Sequence, residues 1–278
     1  MTIAIDQVKR SYISIDEAKK RDGLRIILPE LALPGPWFES CKSIYHVKGL
    51  DFVAVKGSNP NTPGIAIGQD GTQSQLLEWT GQSSLPVVVW NDDLPRSHWT
   101  AQLRLAEKLS PEPQLIPSDP EARVSMFGLA NELLGENGLA WDYRLTMVIG
   151  GTGDESSSDE QKALFAYLGD KYGYNEPIGK KAMARVRTRI ELIDVQLKSQ
   201  KTRGSRFLIG DTLSALDIYW ACVCGLLAPM DESRCPMSTD FRQIYGQLDA
   251  AAAKALSSDL LDHRDFIYAE FLELPIVF

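Results

Sequence analysis

Residues 24–56, LRIILPELALPGPWFESCKSIYHVKGLDFVAVK, carry the alternation that decides the fold. The run LRIIL at 24–28 is short, apolar and suited to a buried strand. A break rich in proline and glycine follows, and Pro36 falls where a helix tolerates proline, in its first turn. From Pro36 to Val47 the pattern is that of an amphipathic helix, closed by Lys48-Gly49, where the glycine supplies a left-handed stop. DFVAVK at 51–56 is a second strand, so residues 24–56 form a βαβ-like unit. A helix that opens straight out of a strand can hold an anion or lower the pKa of a thiol at its N-terminus. Here that position reads Gly35-Pro36-Trp37, with no Ser, Cys or Tyr beside it.

On the N-terminal side, residues 1–21 are polar and mixed, with Ile3, Ile5, Ile13 and Ile15 alternating weakly, which fits an extension or an edge strand. On the other side, GSNPNTPGIAIGQDGTQSQ (57–75) reads as a loop, and LLEW (76–79) adds at most a turn of helix. SSLPVVVWNDDLPRS (83–97) gives a strand at 86–90, a turn at Asn91-Asp92-Asp93 and a short return segment, the pattern of a hairpin. Ser97 is placed to cap a helix over His98–Leu109. SPEPQLIP (110–117) holds three prolines and marks a linker. Beyond it every strong pattern is helical: from Asp119-Pro120 to Leu134, within 156–173, a basic helix, and an apolar helix from Ser214. The division is an extension at 1–21, an α/β domain at 22–109, a linker at 110–117 and an all-helical domain at 118–278.

The 278 residues leave ample length for buried cores. A content of 44% hydrophobic and 24% charged residues is that of a globular chain, without an apolar run long enough for a bilayer or a secretory leader, so a cytoplasmic protein without a membrane partner is expected. The net charge of −8 argues against nucleic acid as a general partner. Lys180, Lys181, Arg185, Arg187, Arg189, Lys198, Lys201, Arg203 and Arg206 run against that trend, while Val186, Ile190, Ile193 and Leu197 keep helical spacing beneath them. A solvated basic face is favoured over an anion-binding patch. Cys41, Cys222, Cys224 and Cys235 do not pair at metal-ligand spacing, so no metal site is expected and they read as reduced core residues.

The order strand, helix, strand, long connection, proline-led hairpin and helix is that of a thioredoxin-like domain. With a helical domain after the linker, the whole resembles the cytosolic glutathione transferases. Three stretches carry the resemblance: GPWFESCKSIYHVKGLDFVAV (35–55), LPVVVWNDDLPRS (85–97) and GDTLSALDIYWA (210–221). The resemblance implies a homodimer with glutathione as co-substrate. It implies that Pro86 is cis, with the Leu85 backbone pairing with the cysteinyl part of the tripeptide. It also implies that Ser97 receives the γ-glutamyl carboxylate. Arg96 replaces the family's usual Glu, Asp or Gln, so a guanidinium stands where the γ-glutamyl ammonium is normally met. The family's reactive Cys or Ser falls on Gly35, beside Pro36, and its alternative Tyr falls near Leu31.

Two readings therefore stay open. In one, glutathione is transferred to a hydrophobic electrophile, or used in a related lyase or isomerase step. The thiolate would then be held by the first helix's N-terminus, by Trp37 or Phe38 backbone amides, or by the Ser40 hydroxyl, with Trp37 lining the pocket. In the other, the fold is kept as a non-catalytic module that binds a ligand or partner. GLAWDYRLTM (138–147) offers Trp141, Tyr143 and Arg144 as a substrate pocket, the aromatics for stacking and the arginine for an anionic part. Aromatic packing at a domain junction explains the same residues equally well. Ser214 with Asp217 makes a helix-start box, in which Asp217 should be buried and paired. His263-Arg264-Asp265 reads as a paired structural triplet.

Overall fold

The computed structural model describes residues 9–30, 33–57, 72–152, 159–237 and 239–278. It divides into two compact units. The first holds residues up to Gln114 together with 230–241 and 271–278; the second holds 115–229 and 242–270.

In the first unit the elements run β1 (Tyr12–Ile13), α1 (Ile15–Ala18), β2 (Leu24–Leu28), α2 (Pro36–Val47), β3 (Val53–Lys56), α3 (Thr72–Thr80), β4 (Val87–Trp90) and α4 (Trp99–Leu109). The strands form one sheet in the order β1-β3-β2-β4. β3 is parallel to both β1 and β2, with Ile26 opposite Ala54, whereas β4 is antiparallel to β2, with Ile26 opposite Val88. Residues 12–13 thus add the edge strand. The return of the hairpin is a single bridge, Val88 to Arg96, whose two backbone hydrogen bonds measure 2.9 and 2.8 Å.

Both faces of the sheet are buried, which is why the strands read as continuous apolar runs. Ile27, Val55, Val87 and Val89 pack under α1 and α3, against Ile15, Ala18 and Leu76. Ile26, Ala54 and Val88, which alternation turns the other way, are equally inaccessible. Each buried Ile, Val or Leu among them contributes about 1.5–3 kcal/mol on burial. Helix α2 starts at Gly35 as its N-cap, holds Pro36 at its first position, and ends at Lys48 before Gly49 with φ of +63°. Lys48 is buried and donates to the carbonyls of Pro111 and Pro113 while pairing with Glu107. That ties the start of the proline-rich linker to α2.

The C-terminal residues do not stay with the helical unit as the linear division has it. Phe278 accepts a hydrogen bond from the Arg10 amide at 2.6 Å, Val277 accepts one from Lys42 of α2, and the Ile276 amide donates to Arg234 O at 2.8 Å. Consequently α2 is buried on nearly every side, Glu39 and Lys42 included, and these two form an ion pair at 2.8 Å. A charged pair so placed satisfies its own helix turn and exposes neither ion.

The second unit is all helical: α5 (Pro120–Leu134), α6 (Leu139–Thr152), α7 (Asp159–Tyr172), α8 (Glu176–Thr202) and α9 (Ala215–Leu227), then α10 (Thr239–Ile244), which continues from the first unit, α11 (Ala250–Ala255) and α12 (Ser258–Phe271). α6 packs on α7 and α8, and α5 on α9. α9 is buried along its whole length and starts with the expected box: Asp217, fully buried, accepts from the Ser214 amide and hydroxyl at 2.9 and 2.7 Å and from the Leu208 amide at 2.7 Å.

Several details differ from the sequence expectation. α1 and α6 were not anticipated as helices. α3 starts at Thr72, before LLEW, while residues 58–71 of the expected loop and Leu31 lie outside the described residues. His263 leaves the triplet to bond Asp217 at 3.0 Å, and only Arg264 and Asp265 pair with each other. The basic face of α8 is not merely solvated. Arg185 and Arg189 both clamp the buried Asp142, and Lys180, Arg187, Lys198 and Lys201 each meet a carboxylate. All four cysteines are buried, and no disulfide joins them. No described helix is long and apolar enough to cross a membrane, and no cluster of metal-ligating side chains occurs among the described residues.

Candidate functional site

The sheet topology gathers one group of candidate residues. β2 and β3 are parallel and β4 runs against them, so the carboxyl ends of β2 and β3 and the amino end of β4 lie at one end of the sheet. Gly57, just past β3, donates to Leu28 O at 2.8 Å. A Cβ at Gly57 would collide with Leu85, so the glycine makes room for that side chain. The Leu85–Pro86 bond is cis and leads into β4. From this same end β2 passes into the segment that ends at Gly35 and Pro36.

Gln102, which the sequence reading passed over, binds this ledge together. It is buried on α4, and its amide nitrogen lies 3.0 Å from Pro86 O, 3.2 Å from Arg96 O and 3.2 Å from Ser97 O. The Gln102 backbone carbonyl accepts from the Tyr45 hydroxyl of α2 at 3.1 Å. A signal was present in the sequence: Gln102 is the one amide on the otherwise apolar stripe Trp99, Leu103, Leu105 and Ala106. Buried amides need partners, and a carbonyl cluster supplies them.

Ser97 is half-buried, and its hydroxyl donates to Gln82 Oε1 at 2.8 Å. It does not cap α4. His98 does, its Nδ1 accepting from the Thr100 amide at 3.3 Å, which leaves the Ser97 hydroxyl to face Gln82. Gln82 had no sequence signal, since the pair spans a turn and a strand. Arg96 turns back onto the hairpin, bonding Leu94 O at 2.8 Å and Asp93 at 3.2 Å.

The first turn of α2 packs a ring against its N-cap glycine. Gly35 offers no side-chain cap, and a Cβ placed on it would collide with the edge of the Phe38 ring. Phe38 therefore fills the space that a side chain at 35 would need. Ser40 is almost fully buried, and its hydroxyl donates back to Trp37 O at 3.1 Å. Trp37 is half-buried. Cys41 is buried within the helix, and desolvation pushes its thiol well above the ordinary range.

The second group of candidates lies in the helical unit on α6. Trp141 donates from its indole to Tyr172 O at 3.1 Å and meets the Tyr172 ring edge-on, centroids 4.7 Å apart. Tyr143 is fully buried, and its hydroxyl accepts from the Gln247 amide at 2.9 Å. Burial raises its phenol to about 12. Arg144 is 9% exposed and donates to the Tyr245 hydroxyl at 3.2 Å. Trp141 and Arg144 share a helix face at i and i+3; Tyr143 does not.

No protein-family model and no curated protein matches the sequence. The fold does match solved structures. A glutathione S-transferase domain-containing protein of Marinobacter aquaeolei VT8 superposes with a TM-score of 0.56 at 14% identity, over 88% of this chain and 98% of that one. The monomeric glutathione S-transferase Na-GST-3 of the hookworm Necator americanus gives 0.54 at 12% identity, over 89% and 92%. A glutathione S-transferase of Methylobacillus flagellatus KT, solved with glutathione bound, gives 0.51 at 14% identity, over 87% and 98%. The chain therefore has the glutathione S-transferase fold: a thioredoxin-like unit and an all-helical unit.

Proposed function

We propose that this protein is a glutathione transferase-like protein that binds glutathione at the end of the sheet described above. The observation that carries the reading is the ledge built by Gln102 from Pro86, Arg96 and Ser97. A buried amide spent on three carbonyls fixes the backbone of the strand start and aims the Ser97 hydroxyl. Leu85 then pairs through its backbone with the tripeptide, and Ser97 exchanges its bond to Gln82 for one to the γ-glutamyl carboxylate. The glutathione-bound structural neighbour from Methylobacillus supports the ligand.

In this reading the chemistry is transfer of the glutathione sulfur to a hydrophobic electrophile, or a related lyase or isomerase step. Neither Gly35 nor Ser40 supplies a hydroxyl to the thiol, so activation falls to the first turn of α2, beside Pro36 and Trp37. A helix dipole contributes about 0.3–1 kcal/mol, and up to about 2 when partly buried, which lowers a thiol pKa by roughly one unit. Trp141, Tyr143 and Arg144 supply the second-substrate site, with Tyr143 as its scaffold. A second reading, glutathione or another ligand bound without turnover, is favoured by the Phe38 ring packed over Gly35.

The test is the melting midpoint of the whole protein with millimolar reduced glutathione and with S-hexylglutathione, followed by turnover of 1-chloro-2,4-dinitrobenzene. Saturation to about a hundred times Kd stabilises by about 2.7 kcal/mol, a readily measured shift. A shift that disappears in Ser97→Ala supports the site, and turnover then separates the two readings. No shift with either compound removes glutathione from both.

A further inference from the structure

We infer that Arg144 anchors the carboxylate of a small aromatic acid within the helical unit. The proposal rests on the reading of this unit as the holder of the second substrate, and it names that substrate's class. Two residues earlier on the same helix, buried Asp142 is neutralised by Arg185 and Arg189. Arg144 has nothing comparable. Its partners are the Tyr245 hydroxyl, the Met147 sulfur at 3.2 Å and the Tyr172 phenol, none of them a carboxylate. No carboxylate pairs with it among the described residues.

A second cation lies near the same tyrosine ring. Lys171 of α7 lies 6.0 Å from the Tyr172 ring centroid and 5.8 Å from that of Tyr167, and it too has no carboxylate partner among the described residues. Burial first, and then the charge of Arg144, hold its ammonium below the ordinary value. Arg144 and Lys171 thus share Tyr172 as a neighbour, and neither meets a carboxylate among the described residues. A guanidinium is a fork that matches a carboxylate in two parallel hydrogen bonds, and the lysine adds a point charge. The Arg144 guanidinium stands 5.7 Å from the Tyr245 ring centroid, and Trp141 and Tyr172 meet edge-on beside it. Those rings favour a flat aromatic body behind the carboxylate, since aromatic pairs gain from offset and edge contacts.

Benzoate and its neutral isostere benzamide test the proposal on the whole protein, without glutathione and at constant chloride and ionic strength. Benzoate should raise the melting midpoint and give a titratable heat, and benzamide should do neither. Arg144→Met should abolish the benzoate response, and Lys171→Met should weaken it about tenfold. Arg144→Met also takes a donor from the Tyr245 and Tyr172 hydroxyls, so the benzoate response is read as the shift from each variant's own unliganded midpoint. An equal response to benzoate and benzamide overturns the proposal, and so does a benzoate response that survives Arg144→Met. If Arg144→Met fails to fold, undiminished benzoate binding by Lys171→Met overturns it. Ser97→Ala should keep the benzoate response whatever it does to glutathione, so the two readings fail separately.

Discussion

Two helices of this protein start in opposite ways. α9 starts with Ser214 and Asp217 locked to each other, with Leu208 and His263 drawn onto the same carboxylate. α2 starts at Gly35 with no side-chain cap, under a phenylalanine ring. An N-terminus completed by its own side chains is a folding element and has nothing left to offer a ligand. One left without a side-chain cap keeps its partial positive charge for an anion that arrives from outside. Under the proposed function the first start serves stability and the second serves recognition, and that contrast can be broken at either end.

The largest effect belongs to Asp217→Ala. It strands the Ser214 and Leu208 donors and the His263 ring in a dry core, and it should lower unfolding free energy by roughly 3–5 kcal/mol in urea titration. Glutathione affinity of the protein that remains folded should not change. An affinity loss matching the stability loss would mean that α9 is part of the site.

Next is the packing at α2. Gly35→Ala forces the new methyl into the Phe38 ring and should cost about 1–3 kcal/mol, whereas the same change in a Phe38→Ala background should cost much less. The difference, a coupling of about 1–2 kcal/mol in a double-mutant cycle, measures how firmly the ring occupies the space of a reactive side chain. A coupling near zero would show that the ring swings aside freely.

Ser97→Ala should weaken glutathione by roughly ten- to a hundredfold in calorimetric titration, the range of a hydrogen bond to a charged group. Its effect on stability should stay near 1 kcal/mol, since only the bond to Gln82 is lost. A stability loss as large as that of Asp217→Ala would make Ser97 a folding residue as well and cancel the contrast.

Smallest of all is the change in thiol labelling. Cys41 and Cys224 are buried, the former raised above its ordinary range and the latter raised to about 12, in each case mainly by desolvation. Thiolates that scarce react slowly, so Ellman's reagent should label essentially nothing until denaturant is added. Prompt labelling of a native thiol would show that burial in one of the units is transient.

Much of this was legible from residue order alone. The apolar runs at 24–28 and 86–90, the proline and glycine bracketing α2, and the box at Ser214 are signals that act over a few residues, and the structure follows them. The strand at 51–56 shortened to 53–56. α6 escaped because Leu139–Thr152 carries apolar residues on several faces, buried by α7 on one side and α8 on the other, so no clean stripe betrays it.

Residue order alone fixes the two kinds of unit and the absence of a hydroxyl or thiol at residue 35, because each depends on local chemistry. Which polar groups meet is settled by the packing of segments far apart in the chain. Arg185 and Arg189 reach Asp142 across 43 and 47 residues, His263 reaches Asp217 across 46, and Lys42 reaches the carbonyl of Val277 across 235. Such pairings depend on where the core brings distant segments together, and no pattern within either segment encodes the partner. The same holds for Arg144: its charge is written in the chain, but its isolation from every described carboxylate exists only once the helices are packed.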